Sequence, residues 1–240
     1  MNQVTVNNSE AASEEPSNTL EAGMTEKDTQ IRFSEDLVLL SERGSLAAEN
    51  ISLLVSEILS RHVQSSRRGL AFCSTSEGSG CSYLAANVAV GSALSGIRTL
   101  LVDGNMRDPQ MGRYFISDRE HRGLLQCIQQ TDIAIQEVVV DDVLPNLSIL
   151  YAGGVFREAG IFSSNEARAV FSDALRNYEC TIVDTAPANR SSDALRVTNM
   201  VRYALLVARK DHTYLNDMKK LIADIKQNRG EVLGTYLNDF

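Results

Sequence analysis

Nine residues, Ser74-Thr-Ser-Glu-Gly-Ser-Gly-Cys-Ser82, join an apolar run that reads as a strand (Gly69-Leu-Ala-Phe-Cys73) to one that reads as a helix (Tyr83-Leu-Ala-Ala-Asn-Val-Ala-Val90). A glycine-rich turn in that place constrains the chain strongly. The backbone must reverse tightly, and successive N–H groups of the turn and of the first helical turn are left to face an anion. Phosphate-binding loops of this layout usually end Gly-Lys-Ser/Thr, with the lysine on the β/γ-phosphates and the hydroxyl on Mg²⁺. Gly78-Ser-Gly-Cys-Ser82 keeps the spacing and the hydroxyl, but neutral Cys81 stands where the lysine would be.

On either side of this loop the pattern alternates. Strand-like runs cover 69–73, 99–103, 147–152, 180–184, 203–209 and 232–237, and helix-like runs cover 82–94, 123–129, 165–177, 192–200 and 214–228. An earlier stripe of Leu46, Ile51, Leu54, Val55, Ile58 and Leu59 predicts an amphipathic helix over roughly 45–63. Runs such as Thr181-Ile-Val183 and Ala204-Leu-Leu-Val-Ala208 are continuously apolar, as strands buried on both faces are. The expected fold class is therefore α/β: a three-layer, mostly parallel sheet with helices on both faces. In such sheets ligands bind outside the carboxyl ends of the strands. Three polar clusters fall at strand ends and are expected to share one pocket: the Gly78 loop, Asp103-Gly-Asn-Met-Arg107 and Asp184-Thr-Ala-Pro187.

Charge narrows the function classes. Residues 1–50 carry ten acidic and three basic side chains, which accounts for nearly all of the net −8 of the 240-residue chain. The body is close to neutral, so nucleic acid is not an expected partner. Residues 1–33 read as a disordered acidic tail, too poor in apolar side chains to offset chain entropy, followed by a helical segment over 34–66 and one domain over 67–240. The N-terminus lacks the basic start and apolar middle of a signal peptide, and no apolar run approaches the ~18 residues of a membrane span, so a cytoplasmic location is expected. Cys73, Cys81, Cys127 and Cys180 are widely spaced and read as reduced thiols. His62, His121 and His212 show no metal spacing and read as surface residues.

From Arg68 to Asn238 the sequence resembles the P-loop kinase domain of the bacterial tyrosine autokinases (the CpsD/CapB, or BY-kinase, family) of the MinD/ParA superfamily. TSEGSGCSYLAANVAV resembles that family's Walker A segment and following helix, LLVDGNMRDPQMGRYF its Walker A′ segment, and CTIVDTAPANRSSDA its Walker B segment. RGLLQCIQQ, LPNLSILYAGG and EVLGTYLND are similar to its connecting and final strands. The resemblance implies a role in capsule or exopolysaccharide assembly, peripheral to the inner membrane through a membrane copolymerase (chain-length) protein or an intact kinase relative. A homo-oligomer is also implied. ATP or ADP would be held by Gly78, Ser79, Gly80, Cys81, Ser82 and Tyr83. Ser82, Asp103 and Asp184 would serve Mg²⁺, and Asp103 would also take the proton from an attacking tyrosine. Arg107 would order the Walker A′ turn beside the phosphates, and Asn238 would bond the adenine.

The departures from the family pattern gather where the chemistry is. Besides Cys81, Asn105 replaces the second Walker A′ carboxylate and Glu77 replaces a proline, putting an anion by the phosphates. The subunit-packing motif is reduced to Ser45-Leu-Ala-Ala-Glu-Asn50, and no tyrosine cluster follows Asn238. Phosphoryl transfer depends almost wholly on positioning and charge, and deleting one such group typically costs about 10²–10³ in rate. The expectation is a degenerate relative that acts by binding, with Mg-nucleotide affinity weak or lost. One alternative is an active autokinase using a compensating cation, such as Arg107 or a neighbouring subunit's residue. Another is a MinD/ParA-like positioning ATPase. Cys81 at a helix start also admits a redox-switch reading, set against that of a small residue tolerated once catalysis was dispensable. Asp103 and Asp184 admit a structural reading as capping carboxylates.

Overall fold

A computed structural model describes residues 31–130 and 132–239. Its strands are β1 (Ile31–Phe33), β2 (Gly69–Ser74), β3 (Thr99–Gly104), β4 (Phe115–Ser117), β5 (Val140–Leu144), β6 (Leu147–Leu150), β7 (Cys180–Thr185), β8 (Tyr203–Arg209) and β9 (Glu231–Asn238). Its helices are α1 (Val38–Ser41), α2 (Leu46–Arg61), α3 (Cys81–Leu94), α4 (Met111–Tyr114), α5 (Leu124–Gln129), α6 (Asn165–Asn177), α7 (Asp193–Val201) and α8 (Leu215–Gln227).

Seven strands form one sheet in the order β5-β6-β3-β7-β2-β8-β9. All neighbours pair in parallel except β5, which runs antiparallel to β6. The period-2 alternation of a strand explains the two cores. From β2, Leu70 and Phe72 enter one core with α2 and α3, while Ala71 and Cys73 enter the other with α5, α6, α7 and α8. From β8, Leu205 and Val207 divide in the same way from Ala204, Leu206 and Ala208. Strands that face a core on both sides need apolar residues at every position. That is why the central runs show no polar alternation.

Helix α2 starts where Ser45 Oγ accepts from the N–H of Ala48 at 3.1 Å, an N-cap worth about 1 kcal/mol. It buries Ala48, Ile51, Val55 and Ile58, but Leu46, counted in its apolar stripe from sequence, faces solvent. The tail expected over 1–33 falls mostly outside the described residues. Its last three do not fit that expectation: Ile31–Phe33 pair antiparallel with β4, and Phe33 packs edge-on against buried Phe115 at 6.2 Å. The turn that follows is tied to α3 by buried Asn87, which accepts from Val38 N and donates to Asp36 O, both at 3.0 Å.

His62 corrects the sequence reading as well. It is fully buried, edge-on to Tyr203 at 4.9 Å, and neither ring nitrogen makes a hydrogen bond of ordinary geometry with the described residues. Burial holds its pKa down at about 4, against an opposing backbone interaction at Gly69 and with the Arg67 charge adding to the fall.

Candidate functional site

The loop between β2 and α3 has Gly78 and Gly80 at φ +70° and +85°. L side chains rarely adopt that region, and glycine enters it without strain. Gly80 caps α3, so Cys81 and Ser82 are the first residues of a helix whose N–H groups have no helical partner. Three side chains from later in the chain hold successive loop carbonyls. His212 Nε2 lies 2.8 Å from Glu77 O, Arg209 Nη1 donates to Gly78 O at 3.0 Å, and Asn238 Nδ2 donates to Ser79 O at 3.1 Å. His212 is thus a loop contact. Asn238 is buried at the end of β9, and its amide N–H₂ ties that strand to the loop.

The loop bounds a cleft of about 350 Å³ whose lining includes Gly78, Ser79, Gly80, Cys81, Ser82 and Tyr83. Asn105, Arg107, Arg113 and Arg190 line it from the segments after β3 and β7. The three polar clusters singled out in the sequence therefore do meet at the carboxyl ends of neighbouring strands. Arg107 is committed to the fold: Nε pairs with Asp193 at 3.2 Å and Nη1 donates to Arg157 O at 2.9 Å.

Asp103 and Asp184 lie opposite each other across the β3–β7 pair, both buried. Ser82 Oγ donates to Asp184 Oδ2 at 2.6 Å. The N–H groups of Gln110 and Met111 donate to Asp103 Oδ2, each at 2.9 Å, so this carboxylate gathers the turn leading into α4. The Oδ1 atoms of both aspartates are buried without a hydrogen-bond partner. Burial raises both pKa values, Asp103 to about 6 and Asp184 to about 8, and Asp184 is raised further by the neighbouring Asp103 charge. Asp184, with its unpartnered Oδ1 and its bond to the Ser82 hydroxyl, offers hard oxygen donors of the kind that suit Mg²⁺ completed by water and phosphate, while Asp103 lines the neighbouring cavity with Tyr151. The residues present fit that ion.

The changed positions are equally well defined. Cys81 is 8 % exposed, and burial plus the Asp184 charge pushes its thiol well above the usual range. A reactive thiolate needs the opposite surroundings, so the redox-switch reading finds no support. Glu77 does not point an unpaired charge at the loop, because Arg190 Nη1 lies 2.6 Å from its Oε1. Sequence reasoning missed Arg190 altogether, since no motif marks it. The only available signal was its place just past the Asp184-Thr-Ala-Pro187 strand end.

No protein-family profile matches the chain. It is 27 % identical over 195 residues to the "putative tyrosine-protein kinase CapB" of Staphylococcus aureus, covering 81 % of this chain and 85 % of that protein. It is 25 % identical over 166 residues to the tyrosine-protein kinase CpsD of Streptococcus pneumoniae, covering 69 % and 73 %. Against EpsB of Ralstonia nicotianae it is 29 % identical over 162 residues, but spans only 21 % of that longer protein. Among solved structures, the kinase domain of the Escherichia coli tyrosine kinase ETK matches with a TM-score of 0.78 at 21 % identity, covering 85 % of this chain and 79 % of that one. The septum site-determining protein MinD of Pyrococcus horikoshii, complexed with Mg-ADP, matches at 0.59 and 21 %, covering 71 % and 69 %. The chain is thus similar in sequence to the proteins named CapB, CpsD and EpsB, and it shares its fold with the ETK kinase domain and with MinD.

Proposed function

We propose that this chain is a degenerate tyrosine-autokinase-like protein that serves exopolysaccharide (capsule-type) biosynthesis and export as a regulatory or assembly component. In this reading it binds Mg-nucleotide weakly and turns over little or no ATP. The observation that carries the reading is Cys81: a neutral, buried thiol where a cation would meet the β/γ-phosphates. Asn105 in place of a second carboxylate removes another group from the same site.

Gly78, Ser79, Gly80, Ser82 and Tyr83 would receive the phosphates, and Ser82 and Asp184 would hold Mg²⁺ with Asp103 behind them. Bound Mg²⁺ supplies charge neutralisation across the phosphate oxygens. The retained loop then acts as a shape that nucleotide can occupy and a partner can read. The partner in this reading is a membrane polysaccharide copolymerase or an intact kinase relative, holding the protein at the membrane surface. No helix among the described residues is long and apolar enough to cross a membrane by itself.

Incubation of the purified chain with Mg-ATP, followed by anti-phosphotyrosine detection beside an intact family kinase, tests the reading. The expected result is a signal at or near background. A strong signal abolished by Asp103→Ala would replace it with the active-autokinase alternative.

A further inference from the structure

We infer that Arg190 supplies the phosphate-binding cation that Cys81 lacks, and that Glu77 holds it back until phosphate enters. The inference rests on the weak nucleotide binding proposed above and assigns its cation. Arg190 is carried over the cleft by a loop hydrogen-bonded along the start of the phosphate loop: Ala188 N donates to Ser74 O at 2.9 Å and Asn189 N to Thr75 O at 3.2 Å. Arg190 lines the same cleft as Cys81 and Ser82.

The other two arginines lining the cleft have partners away from the phosphate loop. Arg107 is paired with buried Asp193, and Arg113 donates to Gln110 Oε1 at 2.9 Å. Arg190 has a partner it can exchange, since both side chains of its pair are half-exposed, 54 % for Arg190 and 49 % for Glu77. Exposed pairs of this kind contribute little to stability. An arginine–phosphate contact is charge-assisted, planar and frequently bidentate, and so is considerably stronger. An incoming phosphate therefore competes well for the guanidinium, and Glu77 opposes it twice, by retaining Arg190 and by repelling the anion. The site would favour polyphosphate over singly charged ligands, because only a strong anion outcompetes the carboxylate.

Breaking the pair from its two sides separates this idea from a purely structural ion pair. Mg-ADP and inorganic pyrophosphate binding are measured by calorimetry on the full chain and on Arg190→Ala, Arg190→Lys, Glu77→Gln and Asp184→Asn. Arg190→Ala is expected to weaken binding on the order of tenfold, Arg190→Lys to recover part of the loss, and Glu77→Gln to tighten binding several-fold. If both Arg190→Ala and Glu77→Gln weaken binding, or neither changes it, the inference is overturned. Mg-ADP binding that is lost in Asp184→Asn but unchanged in Arg190→Ala would remove Arg190's role and leave the nucleotide reading intact. No binding by the unaltered chain would overturn both.

Discussion

The hydroxyl of Ser82 and the carboxylate of Asp184 meet at 2.6 Å, joining the first turn of α3 to the end of β7. One hydrogen bond does not satisfy a fully buried carboxylate, and Asp184 Oδ1 remains without a partner. Folding thus raises the Asp184 pKa from an ordinary 3.8 to about 8. The folded state retains a proton that the unfolded chain releases. This stability is fully present below about pH 4 and is lost as the pH rises through about 8. Asp184→Asn removes the charge without changing shape. Its melting temperature should exceed that of the unaltered protein at pH 8 by at least about 2–4 °C, the equivalent of about 1 kcal/mol for a chain of this size, with the gap closing toward pH 5. The same variant should lose any Mg-ADP-induced stabilisation. A variant less stable than its parent at pH 8 would show that the native site already compensates the charge.

His62 titrates in the opposite sense. Its folded pKa of about 4 lies below the ordinary 6.5, so its neutral ring contributes stability above pH 6.5 that is lost as the pH falls toward 4. The full difference is about 3 kcal/mol by linkage. Since neither ring nitrogen makes a hydrogen bond of ordinary geometry, an apolar ring of similar shape should be tolerated. His62→Phe is expected to be close to neutral at pH 8 and increasingly stabilising, relative to the parent, from pH 6.5 down to 4.5. A constant difference across that range, measured by thermal melts, would mean that His62 is charged in the folded state.

The bond from Asn238 to Ser79 O makes a prediction that its expected adenine contact does not. Asn238→Ala leaves a loop carbonyl without its donor, at a cost of about 1–3 kcal/mol, and should speed hydrogen exchange in 76–82. Affinity for Mg-ADP and for pyrophosphate should then fall together. If only the adenine-bearing ligand is affected, Asn238 reads the base instead of steadying the loop.

The large sheet was legible because strands flanked by two cores have no polar alternation, and β8 (Tyr203–Arg209) and α6 (Asn165–Asn177) have the bounds expected from sequence. The convergence of Ser82 with Asp184 was legible because a phosphate loop and a strand-end acid have fixed places in a parallel sheet. Strands β1 and β4 were missed because each has only three residues and forms through pairing with the other, which leaves no local pattern. β5 was missed because Asp141 and Asp142 interrupt it, Asp142 at φ +52°. His62 looks polar beside Ser60, Arg61 and Gln64, and its burial comes from the distant Tyr203. Arg190 has no motif; its place over the cleft comes from backbone bonds to Ser74 and Thr75. Packing decided these, not local preference.

Restoring the missing cation separates a site that lacks one group from a site that has been closed. A lysine at position 81 would start beside Asp184, whose charge already acts on the Cys81 thiol, at the first residue of α3. Its four-carbon stem allows the ammonium to leave that buried position for the phosphates in the cleft. A charged hydrogen bond is worth about 1.5–3 kcal/mol, so Cys81→Lys should tighten Mg-ADP binding at least about tenfold by calorimetry. Tyrosine phosphorylation should not follow from that change alone, because Asn105 still lacks the carboxylate expected in the Walker A′ segment. The double variant Cys81→Lys/Asn105→Asp is the one that should gain turnover. Unchanged affinity in the single variant would mean that phosphates cannot reach position 81. Turnover from Cys81→Lys by itself would make that one residue sufficient for kinase chemistry, with Asn105 a tolerated change.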